Sequence, residues 1–116
     1  MTSTSKSGGV GYATGAGSGV TQATSRASAV TVNSVCGSIT LVSAAGSTTL
    51  QTFTVNNSAV AATDTVIVNQ KSGTDLYRIY VTSVGAGSFG ITYATFSGTT
   101  TEQPVFNFSV IKSVDA

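Results

Sequence analysis

Few residues in this 116-residue chain carry side chains that commonly catalyse reactions. There is no histidine, which excludes Ser-His-Asp and Cys-His catalytic sites and every imidazole-bound metal. The four carboxylates are Asp64, Asp75, Glu102 and Asp115. A glycosidase needs two carboxylates about 5 to 9.5 Å apart. The first two lie at strand ends, where Asp commonly forms turns, and "TTTEQP" around Glu102 predicts an exposed loop. We expect no enzymatic activity, no metal and no cofactor.

The single cysteine, Cys36, cannot form a disulfide within the chain. It begins the strand pattern "CGSITL", and we expect a buried, structural side chain there, because free cysteine is among the most buried residue types. Gly37 follows it, at a position where we expect a larger side chain to overpack. The stretch "GAGSG" at 15–19 does not continue to G-x-G-x-x-G, because Val20 takes the place of the third glycine. The sequence therefore predicts no phosphate-binding loop.

Charged residues make up only 8% of the chain, and the formal net charge is +1. The typical charged fraction is about 25%, so we expect no basic surface and no nucleic-acid partner. No apolar run approaches the length of a membrane span, and the first residues contain no apolar signal segment. We expect no membrane partner and no secretion. A surface of Ser, Thr, Asn and Gly resists association poorly, which suits a subunit of a large assembly.

From about Val30 onward, apolar and polar residues alternate in short runs rich in β-branched and aromatic side chains. A period of two predicts half-buried strands, and glycine, asparagine, aspartate and serine mark the turns between them. We predict an all-β fold over residues 30–116, an antiparallel, jelly-roll-like β-sandwich of about seven to eight strands. Residues 1–29 are predicted to be an extended Gly/Ser/Thr-rich N-terminal arm that is disordered or ordered by contact.

The arm has the composition of a segment that packs on another protein. Its small residues let the backbone approach a surface closely, and a few larger or polar side chains are candidate anchors. These predicted protein-interface residues are Tyr12, Gln22, Thr24 and Arg26. Tyrosine and arginine are typical interface anchors. We therefore predict an arm that docks on other subunits, with a free linker as the alternative.

The four tyrosines and five phenylalanines fall mostly on strand faces. The alternation predicts core rings and a few half-buried rings on a sheet face. A stacking platform for sugars or bases is the alternative. Proteins that bind single-stranded nucleic acid combine such rings with a positive groove, and Arg78 near Tyr77 and Tyr80 supplies too little charge. A carbohydrate needs no charge, so it stays as an alternative ligand.

A longer pattern runs from about Gly11 to Val114. It begins with "GYATGAGSGVTQATSRASAVTVNSVCGSITL" and continues with "NNSAVAATDTVIVN" and "FNFSVIKSV". This pattern resembles small structural proteins of tailed bacteriophages, a group marked by GYATG and VTQATS. Proteins of the group occur as capsid decoration or cement proteins and as head or tail fibre modules. The chain departs from the pattern at Ser18, where the group often has consecutive glycines.

The resemblance implies a virion component with a β-sandwich fold that forms a homotrimer. We expect a capsid decoration (cement) protein that binds the outer capsid surface and stabilises contacts between major capsid protein subunits. Its partners are then the major capsid protein and itself, and its location is the virion, after synthesis in the host cytoplasm. The alternative is a head or tail fibre or spike module for host attachment, with carbohydrate binding as one form of that attachment.

Overall fold

The computed structural model describes Tyr12 and residues 15–113 of the chain. Every regular element in this part is a strand, which confirms the predicted all-β class. The strands are β1 (Gly17–Thr21), β2 (Val30–Thr31), β3 (Cys36–Thr40), β4 (Ala44–Ala45), β5 (Gln51–Asn56), β6 (Thr65–Ser72), β7 (Tyr77–Gly85), β8 (Ser88–Thr95), β9 (Thr101–Glu102) and β10 (Val105–Ile111).

Two four-stranded sheets and one small pair contain these strands. Sheet A has the order β1-β3-β10-β6, sheet B has the order β2-β5-β8-β7, and β4 pairs with β9. Side chains from both larger sheets enclose one core, in a sandwich-like arrangement. The described residues form ten strands, where seven or eight were predicted. Three of the ten lie outside the predicted strand runs: β4 and β9 lie in segments predicted as turns, and β1 lies in the predicted arm.

The prediction that the sheets are antiparallel is wrong. β1 runs parallel to β3, and β2 runs parallel to β5, so both sheets are mixed. β1 and β2 both come from the part of the chain before residue 32, and each reaches its neighbour through a long connection. A hairpin forces antiparallel pairing, whereas a long connection permits parallel pairing. Alternation with a period of two is the same in either direction, so the pattern indicates a strand without indicating how it pairs.

The two faces of the strands alternate as the sequence predicts. In β5, Phe53 and Val55 are buried while Thr52 and Thr54 are exposed. The buried apolar side chains of the core are Val30, Val32, Ile39, Leu41, Phe53, Val55, Val60, Val66, Tyr77, Phe89, Ile91, Tyr93, Phe106, Phe108 and Val110. Aromatic rings meet at the centre edge to face, with the centroids of Tyr93 and Phe106 5.6 Å apart.

β1 extends sheet A from within the predicted N-terminal arm. Its register pairs Ser18 with Gly37 and Val20 with Ile39. The predicted boundary at residue 29 therefore falls between two strands that belong to the sandwich. Residues 1–11, 13 and 14, which also belong to the predicted arm, lie outside the described residues. Ordering of the arm by other subunits stays a prediction.

Candidate functional site

Residues 22–28, which follow β1, are fixed to the sandwich by their own side chains. Gln22 is buried, and its backbone N–H donates to the carbonyl oxygen of Thr40 at 2.8 Å. Its side-chain Nε2 donates to the carbonyl oxygen of Ser28 at 3.0 Å, and its Oε1 accepts from the N–H of Val42 at 3.2 Å. A buried amide whose donor and acceptor are both used holds this loop against the end of β3.

Arg26 makes the most extensive of these contacts and is only 7% exposed. Its Nε donates to the carbonyl oxygen of Val42 at 2.8 Å, and its Nη2 donates to those of Ala44 at 2.6 Å and Glu102 at 2.7 Å. The carbonyl oxygen of Arg26 accepts from the hydroxyl of Tyr93 at 2.9 Å. One guanidinium thus connects the segment after β3 with β4 and β9. A side chain predicted to anchor an interface is bonded inside its own chain, and little of it is accessible to a second subunit.

A carboxylate and two tyrosines complete this polar network. Burial raises the pKa of Tyr93 to about 12 and also raises the pKa of Tyr77, so both hydroxyls are protonated donors at neutral pH. The Glu102 carboxylate accepts from the N–H of Thr74, from the N–H of Asp75 at 3.1 Å and from the Tyr77 hydroxyl at 3.0 Å. Burial acts to raise the pKa of Glu102, but these hydrogen bonds outweigh it and hold that pKa below its usual 4.5. Glu102 lies in β9, not in the exposed loop that the sequence predicted.

The other described carboxylates also have donors within the chain. Asp64 pairs with Lys112 at 2.7 Å, and this ion pair lowers the pKa of Asp64. Asp75 accepts from the N–H of Thr100 at 2.9 Å and from its hydroxyl at 2.8 Å. Asp115 lies outside the described residues. The described carboxylates therefore act as fixed acceptors that hold turns and loops, which is the role predicted for Asp64 and Asp75.

Among the described residues, no group of three or more His, Cys, Asp or Glu side chains is arranged to hold a metal ion. No helix in the described part of the chain has the length and apolar character needed to cross a membrane.

β1 lies tightly against β3 at Gly37. A Cβ atom on Gly37 would lie 1.8 Å from the carbonyl oxygen of Ser18 and 3.2 Å from a ring carbon of Phe108, so a larger residue fits only if β1 moves. The predicted burial of Cys36 is wrong, because its side chain is only partly buried. The alternation along β3 places Cys36 on the outer face of sheet A, where its register partner on β1 is Gly17.

Tyr12 and Thr24, the other two predicted interface residues, are exposed. The hydroxyl of Tyr12 donates to the carbonyl oxygen of Val110, near the end of β10. Thr24 lies in the loop between β1 and β2. Two of the four predicted interface residues are thus buried within the chain and two are accessible. Contact of Tyr12 or Thr24 with another subunit stays a prediction.

The outer side of sheet B carries an exposed apolar surface around one arginine, which we call the Arg78 face. Its members are Leu50, Leu76, Arg78, Tyr80 and Phe96. The exposed fraction is 51% for Leu50, 68% for Leu76, 50% for Tyr80 and 58% for Phe96. Alternation along β7 turns Tyr77 to the core and Arg78 and Tyr80 outward, as the sequence predicts. Large apolar side chains gathered on a surface are typical of a binding site.

The guanidinium of Arg78 has weak partners. Its central carbon lies 5.8 Å from the ring centroid of Phe96, within the range of a cation–π contact. Its Nη2 lies 3.4 Å from the carbonyl oxygen of Thr48, which is long for a hydrogen bond. Its Nε is buried and has no hydrogen-bond partner among the described residues. Sequence reasoning weighed the aromatic residues as a stacking platform for sugars or bases against rings on a sheet face, and it did not include Leu50 and Phe96. These two residues lie just before β5 and just after β8.

Beside the Arg78 face, the outer side of sheet B is covered by hydroxyls. The hydroxyl of Thr92 lies 2.7 Å from that of Thr52 and 3.0 Å from that of Thr82, so a hydrogen-bonded row crosses three strands. Cross-strand threonine pairs stabilise a sheet. The outer side of sheet B therefore has an apolar part with one cation and a neutral part whose hydroxyls are bonded to one another.

These features define an all-β, sandwich-like protein with mixed sheets, a buried arginine network and an exposed apolar face on sheet B. No protein-family model matches the chain. No curated protein and no solved structure matches it either.

Proposed function

We propose that this chain is a structural protein of tailed-bacteriophage particles, specifically a capsid decoration (cement) protein. It binds the outer capsid surface as a homotrimer and stabilises contacts between major capsid protein subunits. The observation that carries the proposal is the sequence pattern from "GYATG" through "VTQATS" and "CGSIT" to "FNFSVIKSV". The jelly-roll-like form of the sandwich, the virion location and the lack of enzymatic activity belong to the same proposal.

The mechanism is binding without chemistry. The Arg26 network holds the segment after β1 to β4 and β9, which gives a rigid body. A rigid body that spans two capsid subunits resists their separation, because its binding free energy is lost when they move apart. A charged fraction of 8% leaves few ions to desolvate when a broad surface is buried.

The test is the amount of the chain in purified particles. A cement protein is present in copy numbers comparable with those of the major capsid protein, whereas a tail fibre is present in far fewer. Quantitative mass spectrometry of particles gives this ratio directly. Particles made without the gene are expected to release DNA at lower temperature. A copy number far below that of the capsid protein, with unchanged particle stability, would contradict the proposal.

A fibre or spike module for host attachment is the second candidate. The observation that favours it is the exposure of the Tyr80 and Phe96 rings on an open sheet face, because sugars stack on exposed aromatic rings. Binding of the purified chain to host-surface glycans, abolished by Tyr80→Ala and Phe96→Ala, supports this candidate over the cement protein.

A further inference from the structure

The Arg78 face has the composition of an interaction surface. Leu50, Leu76, Tyr80 and Phe96 are each about half exposed or more. Tyr80 shares the outward side of β7 with Arg78, and the Phe96 ring lies against the guanidinium. Tyrosine and arginine are enriched among the residues that contribute most to protein binding. Most other outward positions of sheet B are threonine, serine, glycine or alanine, so the large side chains are concentrated at one end of the sheet.

The chain itself supplies few acceptors to the Arg78 guanidinium. A guanidinium presents five N–H donors, yet the described residues give Arg78 one long hydrogen bond, to Thr48, and leave its buried Nε without a partner. The ring of Phe96 holds the guanidinium from one side. A carboxylate is the acceptor that matches this planar donor pattern, because it accepts two N–H groups at once.

A second copy of the chain has no free carboxylate to offer among its described residues. Asp64 is held by Lys112, and Asp75 is held by Thr100. Glu102 is held by Thr74, Asp75 and Tyr77. Each of these carboxylates is already held by donors of its own chain, and Lys112 also offsets the charge of Asp64, so they are poorer partners for Arg78 than a carboxylate without such donors. Asp115 lies outside the described residues. Among the described residues, charge complementarity therefore favours a different molecule.

We infer that the Arg78 face docks a different protein, one that presents an Asp or Glu side chain surrounded by apolar residues. The carboxylate accepts from the terminal Nη groups of Arg78, because the Nε is buried within the chain, and the partner's apolar side chains cover Leu50, Leu76, Tyr80 and Phe96. The inference rests on the proposed function only for the identity of this partner, which is then the major capsid protein. The carboxylate lies on the outer surface of that protein. Self-association of the chain then uses another surface.

The first experiment measures binding to capsid shells assembled without this chain. Wild type is compared with Arg78→Gln, Arg78→Lys and, as the matched control, Lys71→Gln, which removes an exposed cation from sheet A. Arg78→Gln is expected to weaken binding at least about tenfold, the ratio that corresponds to about 1.4 kcal/mol. Arg78→Lys is expected to weaken binding less than Arg78→Gln, because lysine keeps the positive charge although it cannot donate two parallel N–H groups to one carboxylate. Lys71→Gln is expected to bind as wild type, and thermal unfolding checks that each variant folds.

Equal binding by Arg78→Gln and wild type overturns the inference. Loss of self-association in Arg78→Gln, measured by analytical ultracentrifugation, also overturns it, because the face then belongs to a second copy. Binding of acidic glycans that depends on Arg78 overturns it in favour of a sugar ligand.

A second experiment separates the inference from the proposed function. If wild type does not bind the shells, the cement proposal fails. The docking surface is then tested alone, by selecting peptides that bind the purified chain from a displayed random-peptide library. Enrichment of peptides with Asp or Glu between apolar residues, lost on Arg78→Gln and kept on Lys71→Gln, upholds the docking surface by itself. Absence of that enrichment, or its persistence in Arg78→Gln, overturns the surface as well.

Discussion

Arg26 and Arg78 are the same residue type in opposite situations. Arg26 is buried and donates to three backbone carbonyls of its own chain. Arg78 lies on an exposed sheet face with a long hydrogen bond, an aromatic ring and an Nε without a partner. A guanidinium whose donors are used internally contributes to the fold, and one whose donors are unused is available to a ligand. The number of internal acceptors, not the residue type, distinguishes the two roles.

Sequence reasoning assigned a role to Arg26 and none to Arg78. Arg26 lies among glycines and serines, where a large polar side chain has no visible core to join, and it was predicted to anchor an interface. Its acceptors are 16, 18 and 76 residues away in the chain, and no local pattern reveals them. Arg78 lies in a strand whose alternation was clear, and Tyr80 shares its outward side. The other exposed members Leu50 and Phe96 lie beside β5 and β8, which the local pattern does not connect with Arg78.

The largest effect that tests this comparison is expected from Arg26→Ala. The substitution leaves the carbonyl oxygens of Val42, Ala44 and Glu102 without their donor. Because each buried unpaired group costs about 1 to 3 kcal/mol and these groups regain part of their hydration, the expected loss of unfolding free energy is about 3 to 5 kcal/mol. Urea denaturation measures it.

Arg78→Ala is the matched control for that experiment. It removes one long hydrogen bond and one cation–π contact, so the expected loss is below about 1 kcal/mol. Equal losses for the two alanine variants would show that the arginines do not differ in their structural role and would remove the basis of the comparison.

A smaller effect is expected from Gly37→Ala, which disturbs the contact between β1 and β3 and leaves the Arg26 network in place. The new methyl group would lie 1.8 Å from the carbonyl oxygen of Ser18, so β1 must shift. Overpacking of this kind costs about 1 to 3 kcal/mol. Amide hydrogen exchange is expected to accelerate in β1 first. Gly85→Ala is the control, because a Cβ there meets nothing within 4 Å, and no change in exchange is expected in β1.

If Gly37→Ala leaves both the stability and the exchange of β1 unchanged, β1 is not held by this close approach. The Arg26 network would then be the main attachment of the N-terminal segment, and the comparison with Arg78 would become sharper. If exchange accelerates across all of sheet A, β1 is part of one cooperative unit with β3 and β10.

The fold and the site differ in how much the sequence reveals. The strands of the core were predictable because Phe53 and Val55, or Phe106 and Phe108, alternate with polar residues, and burial of one face fixes that period. β1 was not predictable, because "GSGVT" has one apolar residue and shows no alternation. β1 can lie against β3 because Gly37, its neighbour there, lacks a Cβ atom. Parallel pairing and the Arg26 contacts depend on long-range geometry that no local pattern contains.

An intermediate effect is expected from acid. The pKa of Glu102 and that of Asp64 are both below their usual 4.5 and 3.8, so the folded state favours the ionised forms. Their contribution to stability is fully present above those usual values and is lost as pH falls through the lower folded values. The unfolding free energy is therefore expected to decrease as the pH is lowered below 4.5, the usual pKa of Glu102.

Urea denaturation across this pH range measures the slope, and Glu102→Gln is the variant that isolates one group. The variant is expected to be less stable than wild type at neutral pH and to lose less on acidification, since its side chain does not titrate. The same slope in both proteins would mean that other carboxyls cause the acid sensitivity. Arg78→Ala, whose neighbours Leu76 and Phe96 do not titrate, is expected to keep the wild-type slope.

The smallest effect is expected from Cys36→Ser, which compares an outward position of β3 with its inward neighbour Gly37. The Cys36 side chain is partly exposed on the outer face of sheet A, so a serine hydroxyl there can be hydrated. The expected change is within about 0.5 kcal/mol, as for surface substitutions generally, whereas a buried unpaired hydroxyl would cost about 1 to 3 kcal/mol. Urea denaturation gives the difference, and a thiol reagent is expected to react with Cys36 in the folded protein. A loss above about 1 kcal/mol together with a protected thiol would show that Cys36 is buried in solution, because only burial produces both results.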